Sequence, residues 1–248
     1  MIIFGLNGNI QSMVNYIDYI PRYAFYYLFK NFHGLVDASQ LELPIDTVSE
    51  SGYDSMFYGC SRLTKAPKLP ATNLETDNCY SYMFYGCTSL VEAPELPATT
   101  LVNYCYQRMF YNCTSLVKAP ELPATTLAQG CYQYMFYGCT SLVEAPELPA
   151  TTLVVECYQY MFYNCKNLIE APELPATNLL RYCYYYMFCN CSKLTKIVTK
   201  HTSSWITTYT SNWVYGVSST GTFYKLTALS EGFGTSKIPE GWTVINID

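Results

Sequence analysis

Cysteine is the residue whose type and spacing could first be asked to do chemistry here, with twelve in 248 residues. Cys79, Cys105, Cys131, Cys157 and Cys183 recur every 26 residues, and a second series, Cys60, Cys87, Cys113, Cys139, Cys165 and Cys191, runs beside them. Thiols offer three chemistries: disulfide cross-linking, metal ligation and nucleophilic attack. Within one unit Cys105 and Cys113 are eight residues apart. If that span is helical, the pair sits about 12 Å apart along the axis, beyond the roughly 7 Å between Cα atoms that a disulfide bridges. Zinc is disfavoured, because no CxxC spacing occurs and the histidines are His33 and His201 alone. A nucleophilic thiol needs an activating base, and none recurs beside these positions. The expectation is two columns of buried free thiols, with Cys189-Asn-Cys191 the one spacing that invites a redox test.

Two further sets repeat with the same period. Tyr85, Tyr111, Tyr137 and Tyr163 follow a Met-Phe pair, while Tyr80, Tyr106, Tyr132, Tyr158 and Tyr184 follow the first Cys of each unit. Stacking rings from unit to unit would make them architecture; displayed, they would form a rigid amphipathic stripe for a protein or glycan. Glu95, Glu121, Glu147 and Glu173 form an acidic file beside a mixed file of Lys65, Glu92, Lys118, Glu144, Glu170 and Lys196. Like charges repeated at such spacing repel, so the mixed file relieves the acidic one, or the acidic file recruits a cation or a basic partner. The candidate ligand-binding residues are therefore Tyr85, Tyr106, Tyr111, Tyr132, Tyr137 and Tyr163, with Glu95, Glu121, Glu147 and Glu173. No catalytic, cofactor or metal residue is assigned. A glycine-rich phosphate loop is absent from the sequence, and with two histidines a His-dependent triad has few possible bases.

The elements that must position these residues follow from the repeat. A fixed period between 20 and 50 residues implies a solenoid whose units bury their apolar faces only by stacking. Half of the residues are hydrophobic, enough for one continuous core. Leu101, Cys105, Met109 and Cys113 step by four, which predicts a short helix, with Thr99 or Thr100 as its N-cap. The residue before the second Cys is Gly59, Gly86, Asn112, Gly138, Asn164 or Asn190, the two types that tolerate a left-handed helix end. Leu116-Val-Lys-Ala119 then reads as one strand, ended by Pro120 because proline would remove a ladder donor in each rung. The predicted architecture is an α/β repeat: a solenoid with a short parallel sheet on one side, short helices on the other, and capped ends. Residues 1–22 are expected to form an N-terminal cap, 23–200 about seven helix-bearing units, and 201–248 a β-rich C-terminal cap.

The wording Met-Phe-Tyr-Gly-Cys-Thr-Ser-Leu-Val-Glu-Ala-Pro-Glu-Leu-Pro-Ala-Thr-Thr-Leu resembles the BspA-like leucine-rich repeats of bacterial surface proteins, from Tyr53 to about Lys196. Tyr209 to Phe223 and Ile238 to Val244 are similar to the ending seen after such repeats, and Gly5 to Met13 to their lead-in. The unit departs from the shorter BspA-like repeat in its length and its Ala-Pro-Glu-Leu-Pro exit. The resemblance implies adhesion or host interaction, and similar repeats occur in phages of gut bacteria.

The sequence reading is thus a non-enzymatic binding module recognising a protein or glycan on a host or neighbouring cell, displayed on a bacterial surface or virion. Its rival is a purely structural spacer or virion component. A net charge of −5 without a basic run speaks against nucleic acid, and no apolar stretch reaches the length of a membrane span. The first residues lack the charged n-region of a secretory signal, which favours a module of a longer chain. Segments just after the first Leu of each unit vary freely (Val102-Asn-Tyr104, Ala128-Gln-Gly130, Val154-Val-Glu156, Leu180-Arg-Tyr182), where specificity is written on such scaffolds or neutral drift accumulates.

Overall fold

A computed structural model describes residues 4–10, 13, 20–43 and 47–248. Much of the N-terminal cap expected over 1–22 lies outside the described residues. The rest is a stack of rungs sharing one hydrophobic core.

The predicted helices are not there. Over 102–113 the backbone N–H groups divide their bonds by parity. Those of Tyr104, Tyr106, Arg108, Phe110 and Asn112 donate to carbonyls of the next rung, on Gln129, Cys131, Gln133, Met135 and Tyr137, at 2.7–3.0 Å. Those of Cys105, Gln107, Met109, Tyr111 and Cys113 donate three residues back within their own rung, at 3.1–3.3 Å. An α-helix closes its N–H groups on its own carbonyls four residues back and has none left for a neighbour. The observed pattern instead sends every second donor across the stack.

Positive φ marks the same rhythm, with 55° at Tyr104, 53° at Arg108 and 55° at Asn112. A left-handed residue at the third position of a four-residue turn is the mark of a type II turn. Each rung is therefore a run of linked turns in which two residues face in and two face out. Cys105-Tyr106 and Met109-Phe110 are buried, while Gln107-Arg108 and Tyr111-Asn112 are half-exposed. A period of four so close to the 3.6 of a helix explains why the two read alike in sequence. The expected cap is likewise replaced: Thr100 pairs in parallel with Thr126, and the Leu101 N–H donates to the Thr126 carbonyl at 3.0 Å.

On the opposite side the predicted strand contracts to a single residue per interior rung. Glu92, Lys118, Glu144, Glu170 and Lys196 form successive parallel bridges, and the next paired residues after Glu92 and Lys118 are Thr100 and Thr126, eight positions on. Longer strands appear toward the ends. β1 (Phe4–Asn9) pairs in parallel with β2 (Leu35–Glu42), and β3 (Thr47–Val48) with β4 (Asn73–Leu74). After β5 (Lys196–Thr199) come a one-turn helix, α1 (Thr207–Thr210), then β6 (Thr222–Lys225) and β7 (Thr243–Asn246), giving a parallel sheet of order β5-β6-β7. The pairings give two runs of like-directed chain, one through Gly5, Asp37 and Lys65 and one from Glu92 through Lys118 and Lys196 to Thr222 and Thr243.

The core is built as ladders. Phe29, Phe57, Phe84, Phe110, Phe136, Phe162 and Phe188 stack at 5.3–5.7 Å between centroids. A second ladder runs from Phe25 through Tyr53, Tyr80, Tyr106, Tyr132 and Tyr158 to Tyr184. Trp213 ends both, 6.0 Å from Tyr184 and 6.2 Å from Phe188, fully buried and donating its indole N–H to the Lys237 carbonyl at 2.7 Å.

Candidate functional site: a tyrosine-paved face

The cysteines are core. All twelve are free and buried. The second thiol of each unit serves a carbonyl of the rung before it. Cys113 Sγ donates to the Phe84 carbonyl at 3.1 Å, Cys139 to Phe110 at 3.0 Å, and Cys165 to Phe136 at 3.1 Å. Burial raises these thiols far from thiolate formation; Cys131 is pushed up to about 12. Cys189 is buried too, and burial pushes it up to about 11, so the Cys189-Asn-Cys191 pair shows no activated thiol.

Two of the sequence-predicted ligand contacts are corrected by the fold. Tyr106 and Tyr132 are each 1 % exposed, in the inner ladder, and cannot meet a ligand. The position after the first Cys falls on the inward half of the two-in, two-out rhythm, which a helical reading does not separate from the outward half. The Tyr106 hydroxyl is buried without a hydrogen-bond partner, as is that of Tyr53.

Tyr85, Tyr111, Tyr137 and Tyr163 do lie on the surface of the turn side. Beginning at Tyr58, successive rings stand 4.5, 4.6, 4.4 and 4.5 Å apart and within 7° of parallel. Lys30 Nζ caps the near end, 5.3 Å from the Tyr58 centroid. The Asn190 amide donates to the Tyr163 hydroxyl at the far end, at 3.4 Å.

A parallel file lies alongside it. Tyr134, Tyr160 and Tyr186 stack at 4.5 and 4.9 Å, and the Arg108 guanidinium stands between the Tyr82 and Tyr134 rings, 5.3 and 4.4 Å from their centroids. Arg108 also donates to the Tyr82 hydroxyl. The files touch through tilted ring pairs: Tyr82 to Tyr85 and Tyr134 to Tyr137 are 6.0 Å apart, Tyr160 to Tyr163 5.7 Å. Behind them the amides of Gln107, Gln133 and Gln159 hand a hydrogen bond from rung to rung. Tyr82, Arg108, Tyr134, Tyr160 and Tyr186 are not among the contacts expected from the sequence. A signal for them is present there: each stands three residues before the stacked Tyr, or before Cys189, on the outward half of the turn.

Stacking decides what this face offers. Rings packed face to face at about 4.5 Å hide their π surfaces in one another and present edges and hydroxyls. Burial, then the neighbouring Tyr137, raises Tyr111 to about 12, and Tyr85, Tyr137 and Tyr163 are raised as well, so the face is uncharged in this file at neutral pH.

The acidic file stands on the other side. Glu95, Glu121, Glu147 and Glu173 are exposed along the Ala-Pro-Glu-Leu-Pro edge. The Ala171 N–H reaches the Lys196 carbonyl at 2.9 Å and the Ala38 N–H the Lys65 carbonyl at 3.0 Å. Between those rungs the Pro-rich segments splay into grooves: one of about 510 Å³ holds Glu92, Glu95, Lys118 and Glu121, and the next, of about 460 Å³, Lys118, Glu121, Glu144 and Glu147. Glu173 pairs with Lys200, outside both files, at 2.5 Å, and Glu170 with Lys196 inside the mixed file at 2.7 Å. Among the described residues no group of His, Cys, Asp and Glu is arranged to hold a metal ion, and no helix is long and apolar enough to cross a membrane.

Comparison with curated proteins and with solved structures finds no match. The family model for the BspA type leucine rich repeat region does match, with six copies over residues 7–127 and 128–224. That span covers most of the stacked rungs just described, and it makes the chain a member of the BspA-type leucine-rich repeat family.

Proposed function

We propose that this protein is a non-enzymatic binding module that engages a protein partner through the two tyrosine files, as part of a surface-displayed bacterial or virion assembly. One observation carries the reading: a continuous, half-exposed tyrosine face crosses the interior rungs with its ring planes turned into the stack. Pyranose rings bind aromatic residues chiefly over an open ring face, and here those faces are taken. Edges and hydroxyls, rigid and low in conformational entropy, suit a protein surface instead. Family membership supports the setting, since such repeats are generally non-enzymatic and typically surface-associated. The Glu-lined grooves form a second candidate contact on the opposite edge.

The test is attachment of labelled protein to intact cells, before and after treating those cells with protease or with glycosidase. Replacing Tyr111 and Tyr137 by Ala while the far-UV spectrum is retained should weaken attachment by at least about tenfold, as loss of paired aromatic anchors does. Attachment abolished by glycosidase and not by protease would move the ligand to a glycan. Equal attachment by wild type and variant would show that the tyrosine face is not the binding site, and no attachment by either would favour the rival reading, in which the stack supplies only length. The variant Glu121→Gln with Glu147→Gln reports on the grooves in the same assay.

A further inference from the structure

The second tyrosine file is broken once. Tyr82, Tyr134, Tyr160 and Tyr186 occupy equivalent outward sites, and Arg108 takes the place of a ring between the first two. The backbone does not require arginine there, because φ is 53° at Arg108 and 54–57° at the four tyrosines. Nor does Arg108 complete an ion pair of the fold. Arg22, Lys65, Lys196 and Lys200 each face a carboxylate, whereas no acidic side chain pairs with Arg108 among the described residues. Arg108 is half-buried, its guanidinium 5.3 Å from the Tyr82 centroid and 4.4 Å from that of Tyr134, and one of its five N–H donors goes to the Tyr82 hydroxyl.

The surroundings favour negative charge at this point. Rings stacked face to face turn outward their hydroxyls and their edges, the positive part of the ring quadrupole. From Tyr82 to Tyr186, Arg108 is the one charged residue in the two files. Asp77 and Glu156 stand on the preceding outward turn, where each accepts an amide N–H, from Asn103 and Gln129, at 3.5 Å. The exposed Glu95, Glu121 and Glu147 lie on the opposite edge. A guanidinium can meet a carboxylate through two parallel N–H bonds, and rings on both sides hold this one in place before a partner arrives. We infer, taking the tyrosine face as the contact, that Arg108 is its specificity-determining residue and seats an aspartate or glutamate carboxylate of the protein partner beside Tyr82, Tyr111 and Tyr134. The charge also sets register. A face that repeats with each rung lets a partner slip by one rung and meet the same rings, and a single cation selects one of those positions.

Arg108→Tyr is the discriminating variant, because it writes the neighbouring rungs' own residue into this one and keeps the file intact. Labelled wild type and variant, matched in far-UV spectrum, are compared for attachment to intact cells and to the same cells after their surface carboxylates are capped with carbodiimide and glycinamide. The variant should attach at least about tenfold more weakly than wild type. Capping should bring wild type down to the variant's level and leave the variant unchanged, and added salt should weaken wild type more than the variant. Equal attachment by wild type and Arg108→Tyr, with Tyr111→Ala plus Tyr137→Ala still impaired, would overturn the role of Arg108 and leave the tyrosine face standing. Attachment that the Tyr111 and Tyr137 changes do not alter, or that wild type itself lacks, would remove both. Loss of wild-type attachment after sialidase and not after protease would put the carboxylate on a sugar and overturn a protein partner.

Discussion

At the scale of single residues, the cysteines illustrate how a reactive side chain becomes a structural one. Each interior Phe carbonyl, such as that of Phe110, accepts the N–H of Cys113 in its own rung at 3.1 Å and the thiol of Cys139 in the next at 3.0 Å. The thiol is small and apolar enough to be buried, yet it still supplies a weak donor to the carbonyl's second lone pair. Cys139→Ala should lower the unfolding free energy by about 1–2 kcal/mol, the sum of a small cavity and a lost weak hydrogen bond, measurable by urea denaturation. A thiol reagent at pH 8 should meanwhile leave the folded protein almost unlabelled and modify all twelve cysteines once it is unfolded. Spacing alone is enough to assign these residues to the core, but not to find the carbonyl they serve. The tyrosines divide less cleanly, because Tyr106 and Tyr111 are five residues apart and only the true turn rhythm sends one inward and the other out.

At the scale of the repeating element, a four-residue apolar step is ambiguous between a helix and a run of linked turns. The Asn or Gly before each second Cys is legible as a left-handed position, and φ is 55° at Asn112 and 71° at Gly138. What is not legible is that Tyr104, Arg108, Tyr134 and Tyr160 share that conformation, since such residues carry a steric cost of roughly 1–2 kcal/mol there and give no compositional warning. Cross-rung hydrogen bonds from their backbone N–H groups offset it, joined by ring stacking between Tyr134 and Tyr160 and by the Arg108 guanidinium over the Tyr134 ring. At Gly138 a Cβ would stand 2.1 Å from the Asn112 Oδ1. Gly138→Ala should therefore cost about 2 kcal/mol or more, while Asn112→Gly should fall within about 1 kcal/mol of wild type, both read from denaturation midpoints. The strand, in turn, is placed correctly at Lys118 but shortened by Pro120, whose missing N–H stops the pairing after one bridge.

At the scale of the whole molecule, the ends determine whether the stack holds. Trp213 closes both aromatic ladders, and His201 sits beneath the same cap, its Nδ1 within 2.8 Å of the Thr199 hydroxyl and its ring 5.0 Å from Trp205. Burial lowers the His201 pKa from 6.5 to about 4. Its folded value is depressed, so the unfolded chain binds the extra proton between those limits, and acid favours unfolding. Stability from this group is complete above about pH 6.5 and is lost progressively as the pH falls to about 4, by up to roughly 3 kcal/mol. Asp54 works in the opposite sense, since burial raises it to about 6 and its penalty is relieved in acid. Comparing wild type with His201→Gln isolates the first effect: the wild-type melting temperature should fall more steeply than the variant's between pH 6.5 and 4.

The spacing of the tyrosine ladder has a consequence for scale. Neighbouring rungs stand about 4.8 Å apart, so each added unit of 26 residues lengthens the protein by about that much, whereas the same chain drawn out would reach about 90 Å. Extension per residue is thus among the poorest any fold provides. What each unit adds instead is a transverse strip of side chains, held at a fixed pitch and broad on every side. A chain organised this way is a device for making area rather than distance.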